Sequence, residues 1–508
     1  MVVLTPVDDV AHNREVAAKP NVGARIRSYV LRNPWLAPVG VALISTMALH
    51  LVERTFRLVS PQVLKDGFMF QDWSSNWTMQ TMGLEDMLPF GPKALWYEHV
   101  YPPFLDAVRF LLMLPETNAG QPPSAMVVDF RLYAINAVYF GIINAIVYLW
   151  VRDLTRSGWW ALGVTFLWAI SPGYLTAMLL LEPTPPALLF ITASFYFLYR
   201  FLKTRHLGYA TGFFAMFLLA STTRNVSQPH VLAIVIAALI TFWFIASKRS
   251  WWILSLNILL VGLTCVLPAK QLVMYDTLDT STYSGYHRAG MLWIDPRTVP
   301  DAEYPQDIID NALVFSSRYN TQETLKDNYR LTKAANDYLL TQPIDSIRNL
   351  GRSLTITVPE MLRPTSMYTQ NYLVERIPWR SAFDWVFSSW RYILLTLAAI
   401  LVVGKSRGGV GARHLIRRYG WFLVFYALVA APVLWSNRYF PGQEDLGPTW
   451  TDAVRLKVFL EAPLFIFISY AIWTLTPSGR RRLNRSRPEI DRSTHVGRPD
   501  GDLVVAKG

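Results

Sequence analysis

Long apolar runs separated by polar segments divide the chain between residues 34 and 475. A helical run of roughly 17 or more apolar residues can cross a hydrocarbon core of about 30 Å. The pattern predicts ten such segments. The first covers about Pro34 to Val52. Six follow at about 131–151, 158–174, 184–202, 208–221, 229–247 and 251–270, and three more at about 386–404, 419–435 and 454–475. The first run lacks a small-residue cleavage site after it, so it reads as a retained signal-anchor helix and not as a removed leader.

Two long polar stretches interrupt this alternation, at about 53–130 and 276–385. In the second, the text from Leu325 to Leu340 has helical periodicity and ends at Gln342-Pro343, and a further helical run spans Asp345 to Leu354. In the first, Tyr101-Pro102-Pro103-Phe104 cannot lie inside a helix but suits a helix start. From Phe104 to Leu114 the spacing predicts a short amphipathic helix lying on the membrane, with Asp106 and Arg109 turned outward. The expected organisation is a polar N-terminal segment (1–33), a transmembrane core (34–275) containing the first external loop (53–130), and a mostly helical external loop (276–385). Three last spans (386–475) and a basic tail (476–508) complete it.

Composition agrees with membrane residence. Apolar residues make up 52% and charged residues 17%, against about 25% charged in ordinary soluble domains, and the mean hydropathy is +0.23. The single Cys265 excludes an internal disulfide framework and reads as inert packing.

Loop charge orients the spans, because Lys and Arg accumulate on the cytoplasmic side. The segment before the first span carries Arg14, Lys19, Arg25, Arg27 and Arg32. Every second connection is likewise basic: Arg152 to Arg156, Arg200 to Arg205, Lys248-Arg249, then Lys405 to Arg418. Arg480-Arg481-Arg482 follows the last span. Both termini are therefore expected in the cytoplasm. The net charge of +12 is met by anionic lipid headgroups, with no need for nucleic acid.

Four polar features fall on the opposite, external side. The first loop holds Asp66, Asp72, Glu85, Asp86, Glu98 and His99. Asp72, flanked by Phe70, Trp73 and Trp77, could take a proton from an acceptor hydroxyl as a general base, with Asp66 as the competing residue; a solvated loop acid is the alternative. Leu181-Glu182-Pro183-Thr184 opens the fourth span, where Glu182 either caps the helix or faces the same cavity as Asp72. Thr222-Thr223-Arg224-Asn225 closes the fifth span. Asn437-Arg438-Tyr439 and the run Arg455 to Pro463 meet at the last span, where Arg455, Lys457 and Glu461 enter an apolar helix. Arg455 and Lys457 either hold a phosphate or diphosphate or snorkel at a helix end. Tyr286-His287-Arg288 is a weaker candidate. No nucleotide-binding or Gly-x-Ser-x-Gly motif is present. An external site without one implies a donor delivered on a lipid carrier.

The order of these motifs resembles the polytopic GT-C glycosyltransferases, especially those akin to protein O-mannosyltransferases and the lipid A aminoarabinose transferase. Asp72 and Tyr101-Pro102-Pro103-Phe104 resemble that family's acid after the first span and its Pro-Pro interfacial turn. Arg131-Leu132-Tyr133-Ala134, Ser171-Pro172-Gly173, Glu182-Pro183 and Leu219 to Arg224 are similar to further motifs. Arg455 to Pro463 is similar to the last-span pattern, departing from it at Leu456 and Lys457. Asp72 is followed by Trp73, where the family usually has a second acid.

The resemblance implies an all-α, GT-C-like bundle of about ten transmembrane helices with external interfacial helices and a small external helical subdomain. It implies inverting transfer of a sugar from a polyprenyl-phosphate donor to a glycan, lipid or protein acceptor. Asp72 (alternatively Asp66) would be the base. Glu182, Tyr101, Glu98, His99 and Arg224 would bind acceptor or donor, and Arg455, Lys457 and Arg438 the lipid phosphate. A divalent cation (Mg or Mn) on Asp72 and Glu182 is allowed, not required. The expected location is a bacterial inner membrane with the site on the periplasmic face. A surface-polysaccharide polymerase or ligase of the same fold, and a lipid-linked substrate transporter or flippase, are the competing readings.

Overall fold

The computed structural model describes residues 33, 35–59, 82–120, 124–179, 181–225, 228–317, 320–361, 379–387, 389–406, 412–434 and 457–485. Among them every regular element is a helix, and the one β contact is an isolated bridge between His206 and Lys248. Asp66, Asp72, Arg438 and Arg455 lie outside the described residues, as do the basic tail beyond Arg485 and nearly all of the segment before Pro34.

Helix α1 (Leu36–Val59) is followed by three short helices of the first loop, α2 (Leu84–Phe90), α3 (Pro92–Tyr97) and α4 (Phe104–Asn118). The long α5 (Ala125–Thr155) then runs back along α1. Their close approach depends on Gly141. A Cβ there would overlap the carbonyl oxygen of Ala42 and the hydroxyl of Thr46 on α1, so only a residue without a side chain lets the two helices touch at this level.

After α5 come α6 (Gly158–Ala169) and α7 (Pro172–Met178), bent by 66° at the intervening turn. Pro172 opens α7, and a proline cannot donate the hydrogen bond that would continue α6. The carbonyl of Ile170, at the bend, accepts from the Trp379 indole at 2.9 Å.

Helix α8 (Thr184–Thr204) is the centre of the bundle. It is enclosed by α5, by α9 (Leu207–Thr223) and by two later helices, α19 (Ala412–Leu434) and α20 (Val458–Leu475), and its side chains are buried almost without exception. A helix that is apolar on all sides is stable only when surrounded. Aromatic rings fill the contacts: Phe195 lies 4.7 Å from Phe425, Phe201 lies 4.4 Å from Phe242, and Trp168 stacks on Tyr174 at 4.7 Å.

Between these come α10 (Pro229–Ile245), α11 (Trp251–Thr264) and α12 (Val266–Tyr275), then the polar helices α13 (Ser284–Met291), α14 (Gln306–Val314), α15 (Gln322–Thr341) and α16 (Pro343–Met361). Helices α17 (Arg380–Phe387) and α18 (Ser389–Ser406) precede α19, and α21 (Pro477–Arg485) follows α20. The helix expected from Leu325 to Leu340 is α15, and the turn at Gln342-Pro343 leads into α16. The segment 276–361 is not detached from the rest: α14 packs on α12 and α3, and α16 packs on α19.

Among the described residues, five helical stretches are long and apolar enough to cross a membrane: Leu36–Thr55, Val127–Thr155, Thr184–Thr204, Trp251–Tyr275 and Val458–Leu475. The bent pair α6 and α7 makes a sixth if counted as one span. These are compatible with an integral membrane protein. The remaining predicted spans coincide with shorter apolar helices, Leu207–Thr223, Pro229–Ile245, Leu394–Val403 and Tyr419–Val433. The exposed face of α1, with Leu43, Ile44 and Met47, suits contact with lipid.

Candidate functional site

The two ends of α8 differ chemically. At its C-terminal end Arg200 pairs with Asp153 of α5, and Lys203 donates to the Asp153 carbonyl at 3.0 Å. Arg200 also reaches the Tyr209 hydroxyl. This is the basic end, where the connections rich in Lys and Arg lie. The opposite end, roughly 30 Å away by the rise of a 21-residue helix, carries mixed acids, bases and hydroxyls.

There Glu182 and Pro183 precede α8, and Thr184 begins it with Pro185 and Pro186 in the first turn. The Thr184 hydroxyl donates to Glu182 Oε1 and accepts from Arg224 Nη2. Arg224, the residue capping α9, stands 3.8 Å from the same carboxylate oxygen. Its guanidinium also lies 6.0 Å from the centre of the Phe459 ring on α20. One turn around that ring, Lys457 pairs with Glu461 at 3.8 Å. Arg224 thus meets Glu182 at the start of α8 and approaches α20 at Phe459, two positions after Lys457.

Next to Arg224, the Asn225 side-chain oxygen accepts from Gln228 at 2.9 Å and from the Thr280 hydroxyl. Thr280 belongs to a strap between α12 and α13. Two residues on, Thr282 reaches the first loop: its main-chain N–H donates to the His99 carbonyl at 3.1 Å, and its hydroxyl lies 3.0 Å from His99 Nδ1. Tyr283 stacks on Tyr101 at 5.5 Å. The strap therefore carries hydrogen bonds from the Glu182–Arg224 group to the Glu98–Tyr101 segment. Asp279, also in the strap, is buried and pairs with Arg288 at 2.6 Å. Burial pushes its carboxyl upward and Arg288 opposes the shift.

The Tyr97–His99 segment is gripped from several sides. The Tyr97 carbonyl accepts from the Tyr275 hydroxyl at 2.7 Å, and Lys270 donates to the Glu98 carbonyl. The Asn320 side chain accepts from the His99 N–H at 2.8 Å. Behind this segment lies a buried ionic group. Arg109 donates to Asp106 Oδ1 at 2.6 Å and to the Met82 carbonyl at 2.6 Å, while the Met82 N–H donates to Asp106 at 3.2 Å. Glu98 is buried next to this group.

Asp106 and Arg109 are each 1% exposed, which overturns the expectation that they turn outward. A polar pair three residues apart on one turn resembles a solvated face, but here it satisfies the backbone at Met82 and faces Glu98. Burial, then the nearby Asp106, hold the Glu98 carboxyl well above the usual carboxylate range. Burial raises Asp106 also, with Arg109 opposing it. Burial, with Lys270 beside it, lowers His99 to about 3, so its imidazole is neutral.

Of the ten candidate residues, six are described. Glu98, His99, Glu182 and Arg224 are linked through the hydrogen bonds of the strap, and Tyr101 joins them by its stack on Tyr283. Lys457 sits at the start of α20 beside Phe459, the ring that Arg224 approaches. Glu98 and His99 form the buried back of this arrangement. Lys270, Asp106, Asp279, Thr282 and Asn320 were not anticipated. Lys270 alone had a readable signal, as a lone lysine in the apolar run from Val266 to Tyr275. Arg288 was noted only as part of a weak loop motif.

For a divalent cation, Glu182 is the one expected ligand among the described residues, and the place beside it is taken by the Arg224 guanidinium. Among the described residues no three His, Cys, Asp or Glu side chains come together as a metal-binding group. Comparison of the chain with protein-family models, with curated proteins and with solved structures returns no match.

Proposed function

We propose that the chain is a polytopic membrane glycosyltransferase of the GT-C type, with all ten apolar segments crossing the bilayer. In this reading it moves a sugar from a polyprenyl-phosphate donor to a glycan, lipid or protein acceptor on the membrane face opposite the basic connections. The observation that carries the reading is the placing of Arg224 between Glu182 and the Phe459 ring, on the turn of α20 that Lys457 and Glu461 bracket. Cations at that depth suit a phosphate whose polyprenyl tail lies in lipid beside them.

The reaction follows from those roles. Asp72, or Asp66, takes the proton of an acceptor hydroxyl. The freed oxygen attacks the anomeric carbon from the face opposite the phosphate, and the bond from that carbon to the phosphate oxygen breaks with inversion. The departing lipid phosphate gains negative charge, which Arg224 and Lys457, with Arg438 and Arg455, stabilise. Tyr101 presents an aromatic face beside the same tract, suited to a sugar ring. The reaction as drawn needs no metal.

Purified protein in liposomes, supplied with a panel of labelled polyprenyl-phosphate sugars and with membrane glycan acceptors, should yield a glycosylated product. Asp72→Asn should abolish product without loss of folded protein, and Arg224→Gln should lower turnover about 10²–10³-fold. Full activity in Asp72→Asn with loss in Asp66→Asn moves the base to Asp66. Absence of covalent product with every donor sinks the proposal.

The buried Lys270, on an apolar helix and beside Glu98, favours a second reading as a transporter or flippase of lipid-linked substrate. The same liposomes separate the two, because a transporter gives flux across the bilayer without a new glycosidic bond.

A further inference from the structure

We propose that α16 lies on the external leaflet of the bilayer, with its isoleucine side among the acyl chains and Arg348 and Arg352 at the headgroup phosphates. The first observation is that the helix is turned the wrong way round for water. A helix on a water-exposed surface points its apolar stripe inward and its polar side to solvent. In α16 the inward stripe is polar: Ser346, Asn349, Ser353 and Thr357 follow one another at intervals of three or four, and Ser346, Ser353 and Thr357 are buried. Their hydrogen bonds are made within the protein. Asn349 donates to the Leu292 carbonyl at 2.9 Å, and the Ser346 hydroxyl donates to the Tyr338 carbonyl at 3.3 Å. The Ser353 hydroxyl donates to the Met291 carbonyl at 2.8 Å and accepts from the Trp293 indole at 3.1 Å.

The outward side is apolar. Ile344, Ile347 and Val358 share it, at 74%, 70% and 39% exposure, and Leu340, just before the turn into α16, is 81% exposed. An apolar face of this kind in water is a liability, whereas acyl chains stabilise it.

The neighbours say what covers that face. Helix α16 packs on α19, an apolar helix whose own Leu423 and Val424 are exposed. A helix seated against a span is held at the level of the bilayer. Arg348 is exposed directly after Ile347, and one turn on the Arg352 guanidinium lies 3.7 Å from the centre of the Trp293 ring. Arginine and tryptophan beside apolar side chains suit the membrane–water boundary, where long cationic side chains reach headgroup phosphates. Asp345 pairs with Arg348 at 2.8 Å, but such an exposed pair contributes little, and a phosphate can take its place. The inference rests on the ten-span reading through α19 alone, and not on sugar transfer.

Spin labels on the full chain in phospholipid vesicles test this. On a Cys265→Ser background, labels are attached to Ile347→Cys, Val358→Cys, Leu423→Cys and Glu323→Cys, one at a time. Glu323, exposed near the start of α15, marks water, and Leu423 marks lipid. Oxygen concentrates in lipid and a nickel chelate stays in water. At Ile347 and Val358 we expect oxygen to relax the label more than the chelate does, as at Leu423, with the opposite ratio at Glu323. Water at Ile347 and Val358 with lipid at Leu423 overturns this inference alone. Water at Leu423 overturns the ten-span reading and the inference with it. Labels at Ile347 and Val358 closed to both reagents mean that protein, such as a second copy of the chain, covers the face, and this also overturns it. Arg348→Glu should lower the oxygen-to-nickel ratio at Ile347 several-fold, and an unchanged ratio overturns the phosphate contact.

Discussion

Thr282 and His99 are joined twice, by a main-chain hydrogen bond of 3.1 Å and by a side-chain contact of 3.0 Å between the threonine hydroxyl and Nδ1. The two residues lie 183 positions apart. Through them the first loop and the strap after α12 become one structure, and the hydroxyl also gives the neutral imidazole a hydrogen-bond partner, while its ring packs on Tyr275 at 4.9 Å.

Thr282→Val should keep the main-chain bond and lose the other. His99 would then have neither ring nitrogen paired, since Nε2 already lacks a partner. A buried polar group left unpaired costs about 1–3 kcal/mol. Thermal unfolding in detergent should show that loss, with Thr282→Ser close to the parent. Equal stability of the valine and serine variants would remove the hydroxyl from the account.

The Asp106–Arg109 pair calls for a double-mutant cycle. Arg109→Met alone leaves Asp106 and Glu98 without their guanidinium, and breaking a buried ion pair from one side costs about 3–5 kcal/mol. Arg109→Met with Asp106→Leu removes both charges and should recover most of that. Additive losses in the double variant would show that the two side chains act independently.

At Gly141 the test is steric. Gly141→Val forces a side chain into Ala42 and Thr46 and should destabilise by about 1–3 kcal/mol through overpacking. Gly163→Ala on α6 meets no atom within 4 Å and should be neutral or stabilising by up to about 1 kcal/mol. Melting temperatures of the two variants, measured side by side, check the helix contact.

Acid stability should carry the mark of His99. Its usual pKa is 6.5 and its folded value about 3. Between those values the unfolded chain binds a proton that the folded chain refuses, so stability falls as pH drops through that window. Glu98 acts in the opposite sense. Its folded pKa is raised, so its contribution is complete below its usual value of 4.5 and is lost as pH rises toward the folded one. His99→Asn should flatten the decline in melting temperature between pH 6.5 and 3, and an unchanged decline would show that another group is responsible.

The apolar helices were readable because a long apolar helix is a matter of composition over one continuous segment. Helix α15 was readable for the same local reason, since its periodicity and closing Gln342-Pro343 lie within a short window, whereas the bend at Ser171-Pro172 falls inside the span expected over 158–174. The orientation of Asp106 and Arg109 was misread because helical spacing shows which residues share a face and not what that face meets. Met82 and Glu98, which bury the pair, lie on other segments of the loop.

The sequence by itself determined where helices form, which are apolar, and that acids and bases gather away from the basic connections. Each of these depends on residues close together in the chain. Only the tertiary structure decided that Lys270 binds the carbonyl of Glu98, that Arg224 meets Glu182 through Thr184, and that the strap at Thr280–Tyr283 joins the two groups. Those contacts bridge up to 183 positions, between His99 and Thr282. The physical reason is that a hydrogen bond depends on distances of about 3 Å, which the packing of the helices sets and no local pattern records.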